Sequence, residues 1–204
     1  MKYRKWIVFA LVAIGAIVSQ FFVQQRYTSL LQVGSEYQWP VSISRRASWI
    51  PSDYLHVTFL GAQGPWMGER APVEQQEAYV VVVPKPSGLL TVKEVTPNRP
   101  DSGEYILARI TRYENGIAEF QIPFDRVKVD LSKVNPQFYK GYKGTLLATL
   151  KVKDGHGVVT GVYSKGVSIE IAKPGSIEEQ ERDSRIPLEE LGNGDDKITP
   201  PVEE

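Results

Sequence analysis

The 204-residue chain contains no cysteine. This excludes a disulfide framework, a thiolate nucleophile, a cysteine metal site and a lipid-bearing cysteine. Histidine occurs only twice, as His56 and His156. No ligand spacing surrounds either one, so neither a metal centre nor a His-based triad is expected, and both read as ordinary surface or half-buried residues. Charge of one sign is not in excess either: 24 Lys+Arg balance 24 Asp+Glu. A chain without basic bias does not point to nucleic acid. Paired acid and base, nucleophile and base, and phosphate-binding motifs are all missing, so no cofactor is expected and a non-catalytic role is favoured.

The charge that is present is unevenly placed. Residues 1–26 hold Lys2, Arg4, Lys5 and Arg26 with no acid, whereas residues 173–204 hold ten acids and four bases. Between Trp6 and Gln25 no residue is charged: WIVFALVAIGAIVSQFFVQQ. As a helix, this run covers about 30 Å, the thickness of a bilayer's hydrocarbon core. It lacks the polar stripe of a soluble core helix, and Trp6 and Tyr27 sit where interfacial aromatics are expected. The positive-inside rule places residues 1–5 in the cytoplasm, 6–25 in the membrane and the rest outside. A cleaved signal peptide is the competing reading. Its best small-residue site, Ala13-Ile14-Gly15, would leave IVSQFFV at the new N-terminus with no polar region before the cut, so an uncleaved anchor is expected.

Beyond the run, Leu30, Leu31 and Val33 continue the helical pattern as far as Gly34, and 26–36 reads as a juxtamembrane helix or linker. The pattern then turns β. Tyr37–Ser44 alternates as a strand with one wet face, and Pro40 suggests an edge position. Further strands are expected at Tyr54–Leu60, Ala78–Val83 (continuously apolar, hence central), Leu89–Val95, Glu104–Tyr113, Ile117–Ile122, Thr145–Val152, Val158–Tyr163 and Val167–Ala172. Asn115-Gly116 and Asp154-Gly155 signal tight hairpins. Phe124, Val127, Leu131 and Val134 fall at helical spacing between Pro123 and Pro136, which predicts one short helix, although Val127, Val129 and Leu131 also alternate. Strands do not alternate with long helices, which argues against a doubly wound sheet. The fold expected for 37–172 is mainly β, an antiparallel sandwich or partly open barrel. Residues 173–204 are acidic and poor in aromatics, and read as a largely disordered tail with a brief helix at 176–183.

In their order, these segments resemble the GDYXXLXY family of membrane-anchored bacterial proteins. The stretch Ser52-Asp53-Tyr54-Leu55-His56-Val57-Thr58-Phe59 keeps the family's Asp and Tyr as Asp53 and Tyr54, with Ser52 for Gly, Val57 for Leu and Phe59 for Tyr. Downstream, Gly116-Ile117 with Phe120, Ile122 and Pro123 is similar to the family's second signature, a Gly-Ile strand ending in an aromatic and a Val-Pro-type step. The final strand-turn-strand also looks alike, so the likeness runs from about Leu30 to Ile171. In place of the family's Asp-Pro-Arg-rich lead stands RRASWIP. The resemblance implies a single-pass protein of the bacterial cytoplasmic (inner) membrane, its domain periplasmic, with no catalytic residues to carry over.

Several residues invite sharper readings. Asp53 before a strand is expected to cap a turn, with Tyr54 packing behind it. Ser48-Trp49-Ile50-Pro51 looks similar to the nucleophile setting of signal-peptidase-like Ser-Lys hydrolases. That alternative needs a neutral Lys within reach of Ser48, and Lys85 and Lys93 are placed as solvated ammonium groups. Trp66 and Met67, on the Gly- and Pro-rich loop 61–76, form either a displayed contact surface or a lid folded over the sheet. Lys85, Lys93, Arg99, Arg109 and Arg112 read as scattered strand-end charges. The expected partners are therefore the lipid bilayer and an envelope protein.

Overall fold

A helix and a strand meet here with one residue between them. The structure, a computed structural model, describes residues 2–45 and 53–185, with the side chains of 2–8, 10, 21–23, 26 and 27 outside the described set. Helix α1 (Lys2–Val33) ends at Gly34, whose N–H donates to the Leu30 carbonyl at 3.0 Å, and β1 (Ser35–Ser44) follows at once. Residues 26–36 are thus a continuous junction rather than a linker. Leu30 is buried, and Lys151 Nζ donates to the Leu31 carbonyl at 2.6 Å, satisfying one of the helix's orphan acceptors. Further along α1, Phe9, Leu11, Val12, Ile14, Ile17 and Val18 are exposed, and they point around the whole helix axis. Among the described residues no helix is long and apolar enough to cross a membrane. In that set the run 6–25 is interrupted at 6–8, 10 and 21–23.

The rest is mainly β, in two antiparallel sheets. The first runs β11-β10-β9-β1-β2-β8 and the second β3-β7-β6-β4-β5. The remaining strands are β2 (Tyr54–Phe59), β3 (Gln63–Pro65), β4 (Glu77–Pro84), β5 (Leu90–Thr96), β6 (Glu104–Glu114), β7 (Ile117–Gln121), β8 (Arg126–Lys128), β9 (Leu146–Lys153), β10 (His156–Ser164) and β11 (Val167–Ser168). Period-two alternation turns Trp39, Val41 and Ile43, then Leu55, Val57 and Phe59, into a core shared with Val80, Ile106, Ile110 and Phe120 of the second sheet. β4 is paired on both sides, as its unbroken apolar run predicts. Both expected hairpins form, with Asn115-Gly116 and Asp154-Gly155 at positive φ. Lys165-Gly166 makes a third such turn, between β10 and β11.

Bridges within the second sheet and between the two sheets nearly close the fold. Trp66 pairs with Val95, and Met67 N–H bonds the Val95 carbonyl, carrying the β3 side of the second sheet round to β5. β7 pairs only with 109–114 of β6, which leaves the other half of that edge free. The β9–β10 turn fills it: Ile106 pairs with Gly155, and Leu107 N–H donates to the Gly155 carbonyl at 2.8 Å. The β3 and β5 margins of the second sheet are thereby joined, and the open half of β6 is covered rather than left as a bare edge.

Four expectations need correction. Pro40 lies in an interior strand, because β1 pairs with β9 over 35–41 but with β2 only from Val41 onward. On the β2 side the Pro40 carbonyl accepts the Leu60 N–H at 2.9 Å, and the Leu60 carbonyl, which a proline cannot serve, takes the Trp39 indole N–H at 2.8 Å instead. No helix forms between Pro123 and Pro136. Val127 and Val129 alternate inward around β8 instead, and a short 3-10 helix follows at Pro136–Tyr139. Val167–Ala172 pairs only at Val167 and Ser168.

The fourth correction concerns the tail. The brief helix forms as α2 (Ile177–Asp183), with a Ser176–Glu179 capping box, but it docks. Gln180 is buried, accepting from Lys143 N–H at 3.2 Å and donating to the Gly175 carbonyl at 2.8 Å. Lys165–Asp183 (2.8 Å) and Lys143–Glu181 (3.0 Å) flank it. Residues 173–185 therefore belong to the domain, whereas 186–204 lie outside the described residues. Buried hydrogen bonds offset the ordering entropy that composition alone suggested would win. Removal of 173–204 is expected to lower the melting temperature by about 2–6 °C; an unchanged scan would contradict the docking.

Docking should also depend on pH. The hydrogen bond from Lys143 holds the Glu181 carboxyl below its ordinary value of 4.5, and the bond to Asp183 holds Lys165 above its ordinary 10.5. The Glu181 contribution is present above its unfolded pKa and lost as pH falls through the lower folded value. That of Lys165 is present below its unfolded pKa and lost as pH rises through the higher folded value. A spin label on Ser184→Cys, the chain's sole thiol, is expected to be least mobile from about pH 5 to 10. Mobility that stays constant from acid to alkali would contradict this.

Candidate binding cleft at the β2 edge

Leu55, Val57 and Phe59 take the inward positions of β2, so Tyr54, His56 and Thr58 face outward. After β7 the chain crosses from the second sheet to the first through Ile122–Asp125 and enters β8. Ile122 is buried, the Phe124 ring packs edge-on to Phe59 and lies against Gly157, and the Asp125 carbonyl accepts the Val57 N–H at 2.9 Å. This crossing brings Asp125 Oδ2 to 3.3 Å from His56 Nδ1, with the two side chains only 21% and 15% exposed. Arg126 Nε stands 3.8 Å from the other carboxylate oxygen. Partial shelter makes this pair less screened than an open surface pair.

Beside the pair opens a cleft of about 250 Å³, lined by His56, Thr58, Thr111 and Gln121 together with the apolar Phe59 and Phe120. A carboxylate at Nδ1 orients the imidazole and leaves Nε2 for a ligand. The hydroxyls, the amide and the imidazole can all donate and accept. Among the described residues neither threonine hydroxyl is hydrogen-bonded to His56, and a threonine without a base is a poor nucleophile. No three His, Asp or Glu residues converge in the described set. The arrangement suits recognition through hydrogen bonds and an aromatic wall.

The structure divides the motif residues among three places. Val57, Phe59 and Phe120 line or back the cleft, and Pro123 lies in the crossing beside it. Gly116 and the half-exposed Ile117 occupy the distant β6–β7 turn. Asp53 is exposed and contributes its carbonyl to Val129 N–H, while among the described residues its carboxylate caps nothing. Tyr54 does not pack. It is 49% exposed, because the apolar phase of β2 is set by Leu55. Tyr54→Ala is accordingly expected to change stability by less than about 1 kcal/mol in denaturant titration; a loss near 3 kcal/mol would restore the packing role.

Ser48 lies outside the described residues. Lys93 is exposed and 4.0 Å from Glu94, and Lys85 sits in the β4–β5 turn. Loop 61–76 splits between core and solvent. Trp66 packs on the core and donates Nε1–H to the Arg70 carbonyl at 2.7 Å, whereas Met67 is exposed. The His56–Asp125 pair was missed in the sequence because its partners are 69 positions apart; the outward phase of His56 was the only available signal. No protein-family model matches the chain, and neither a curated protein nor a solved structure is detectably similar to it.

Proposed function

We propose that this chain is a single-pass protein of the bacterial cytoplasmic membrane whose β domain stands outside the cytoplasm and binds or supports another envelope component through the β2-edge cleft. The observation that carries the reading is α1. Its exposed apolar side chains surround the axis and none of the described residues covers them, a surface suited to lipid rather than water. The uncharged run 6–25 has membrane length, and Lys2, Arg4 and Lys5 precede it. The junction at Gly34 and Lys151 fixes the domain's orientation on its anchor, as a tethered recognition module requires. The chain is proposed to be a divergent member of the GDYXXLXY family, its Asp53-Tyr54 pair opening the strand that carries the cleft.

The full chain is expected to stay with membranes through a carbonate wash, and a chain lacking residues 1–26 to appear in the soluble fraction. Release of the intact chain by carbonate would overturn the anchor, and release of a shortened form would make the helix a cleaved signal.

A further inference from the structure

The β9–β10 turn that seals the sheet seam also builds a groove on the outside of it. Ala78, Val80, Ile106 and Ala108 point into the core, so Tyr79 on β4 and Tyr105 and Leu107 on β6 fall on the opposite face. The two tyrosine rings meet edge to face with centroids 5.6 Å apart. The Arg99 guanidinium lies over Tyr105, 5.4 Å from the ring centre, which pre-orders its planar fork. Asp154 and His156 flank Gly155, and the bond from Leu107 N–H to the Gly155 carbonyl holds that turn against the tyrosines. These residues line an open groove of about 430 Å³, within the range of about 300–1,000 Å³ common for small-molecule sites.

The lining selects the ligand. One guanidinium stands near one carboxylate, so an anion would meet Asp154 and a cation would meet Arg99. Arg99 Nη2 and Asp154 Oδ1 are 3.9 Å apart, too far for a direct hydrogen bond, and both side chains are more than half exposed. Among the described residues neither side chain is hydrogen-bonded, so their donor and acceptor capacity is open. A hydroxyl both donates and accepts, and so can bridge such a gap. Adjacent hydroxyls match a carboxylate or the guanidinium fork, and the apolar C–H face of a sugar ring suits tyrosine and leucine walls. We propose that this groove binds a neutral oligosaccharide. Arg99, Asp154 and His156 hold its hydroxyls, and Tyr79 and Leu107 supply the apolar wall, with the buried Tyr105 ring backing Arg99. The site shares no residue with the β2-edge cleft and does not depend on which side of a membrane the domain occupies.

The test is saturation-transfer NMR on the full chain in phospholipid nanodiscs, with chitotriose, cellotriose and maltotriose as probes and inorganic phosphate as competitor. At least one trisaccharide is expected to bind, and Arg99→Ala and Asp154→Gly are each expected to weaken it tenfold or more at unchanged melting temperature. Glycine is chosen at 154 because the turn needs positive φ there. No binding by any of the three sugars, or binding that survives both substitutions, would overturn the proposal. So would phosphate displacing the sugar, which would make the groove an anion site.

Discussion

Trp39→Ala is expected to cost the domain about 4–5 kcal/mol, much of the 5–15 kcal/mol that holds an ordinary domain together. Trp39 is 2% exposed, its ring meets Phe59 edge-on at 5.7 Å, and its indole N–H donates to the Leu60 carbonyl at 2.8 Å. Truncation therefore leaves a cavity under β1, a strand that β9 and β2 both use, and takes the indole donor from the Leu60 carbonyl at the end of β2. Trp39→Phe keeps most of the volume and loses chiefly the hydrogen bond, at about 1–2 kcal/mol. Chemical denaturation of the two variants separates packing from hydrogen bonding. Equal losses would show that the ring's volume contributes little.

Gly155→Val should be nearly as damaging, at about 3 kcal/mol or more, because two costs combine. Gly155 has φ +79°, where a β-branched residue is strained, and a Cβ there would sit 2.6 Å from the Tyr105 ring carbon Cε2. The turn would have to lift away from β6 and release the Leu107–Gly155 hydrogen bond that joins the two sheets. Hydrogen exchange at Leu107 reports this directly. Its amide is expected to be protected in the native chain and to exchange quickly in the variant. Retained protection would mean that the seam does not rely on this turn.

Legibility followed the range of the interactions. β1, β2 and β4 could be read because alternation and an unbroken apolar run are local patterns, and the two glycine turns because positive φ is a property of the dipeptide. The 123–136 segment was misread because Phe124, Val127, Leu131 and Val134 satisfy helical spacing while Val127 and Val129 satisfy the strand's. Pairing of β8 with β2, more than sixty positions away, decides between them. The docking of α2 was hidden for the same reason: Gln180, a polar residue in an acidic stretch, is buried only because Lys143 N–H is waiting for its side chain. Tyr54 shows the opposite error, an aromatic assumed to pack although its neighbour Leu55 had already claimed the inward phase. The cleft and the groove both join residues from distant strands, and no motif announced either.

The central claim is that the anchor is inserted with the domain outside the cytoplasm, and a pair of reporter fusions after Glu204 tests it most directly. A reporter active only outside the cytoplasm is expected to work, and one active only inside is expected to be silent, with the fusion protein remaining in the membrane fraction. Activity of the cytoplasmic reporter with silence of the other would contradict the orientation and, with it, an extracytoplasmic role for the β2-edge cleft.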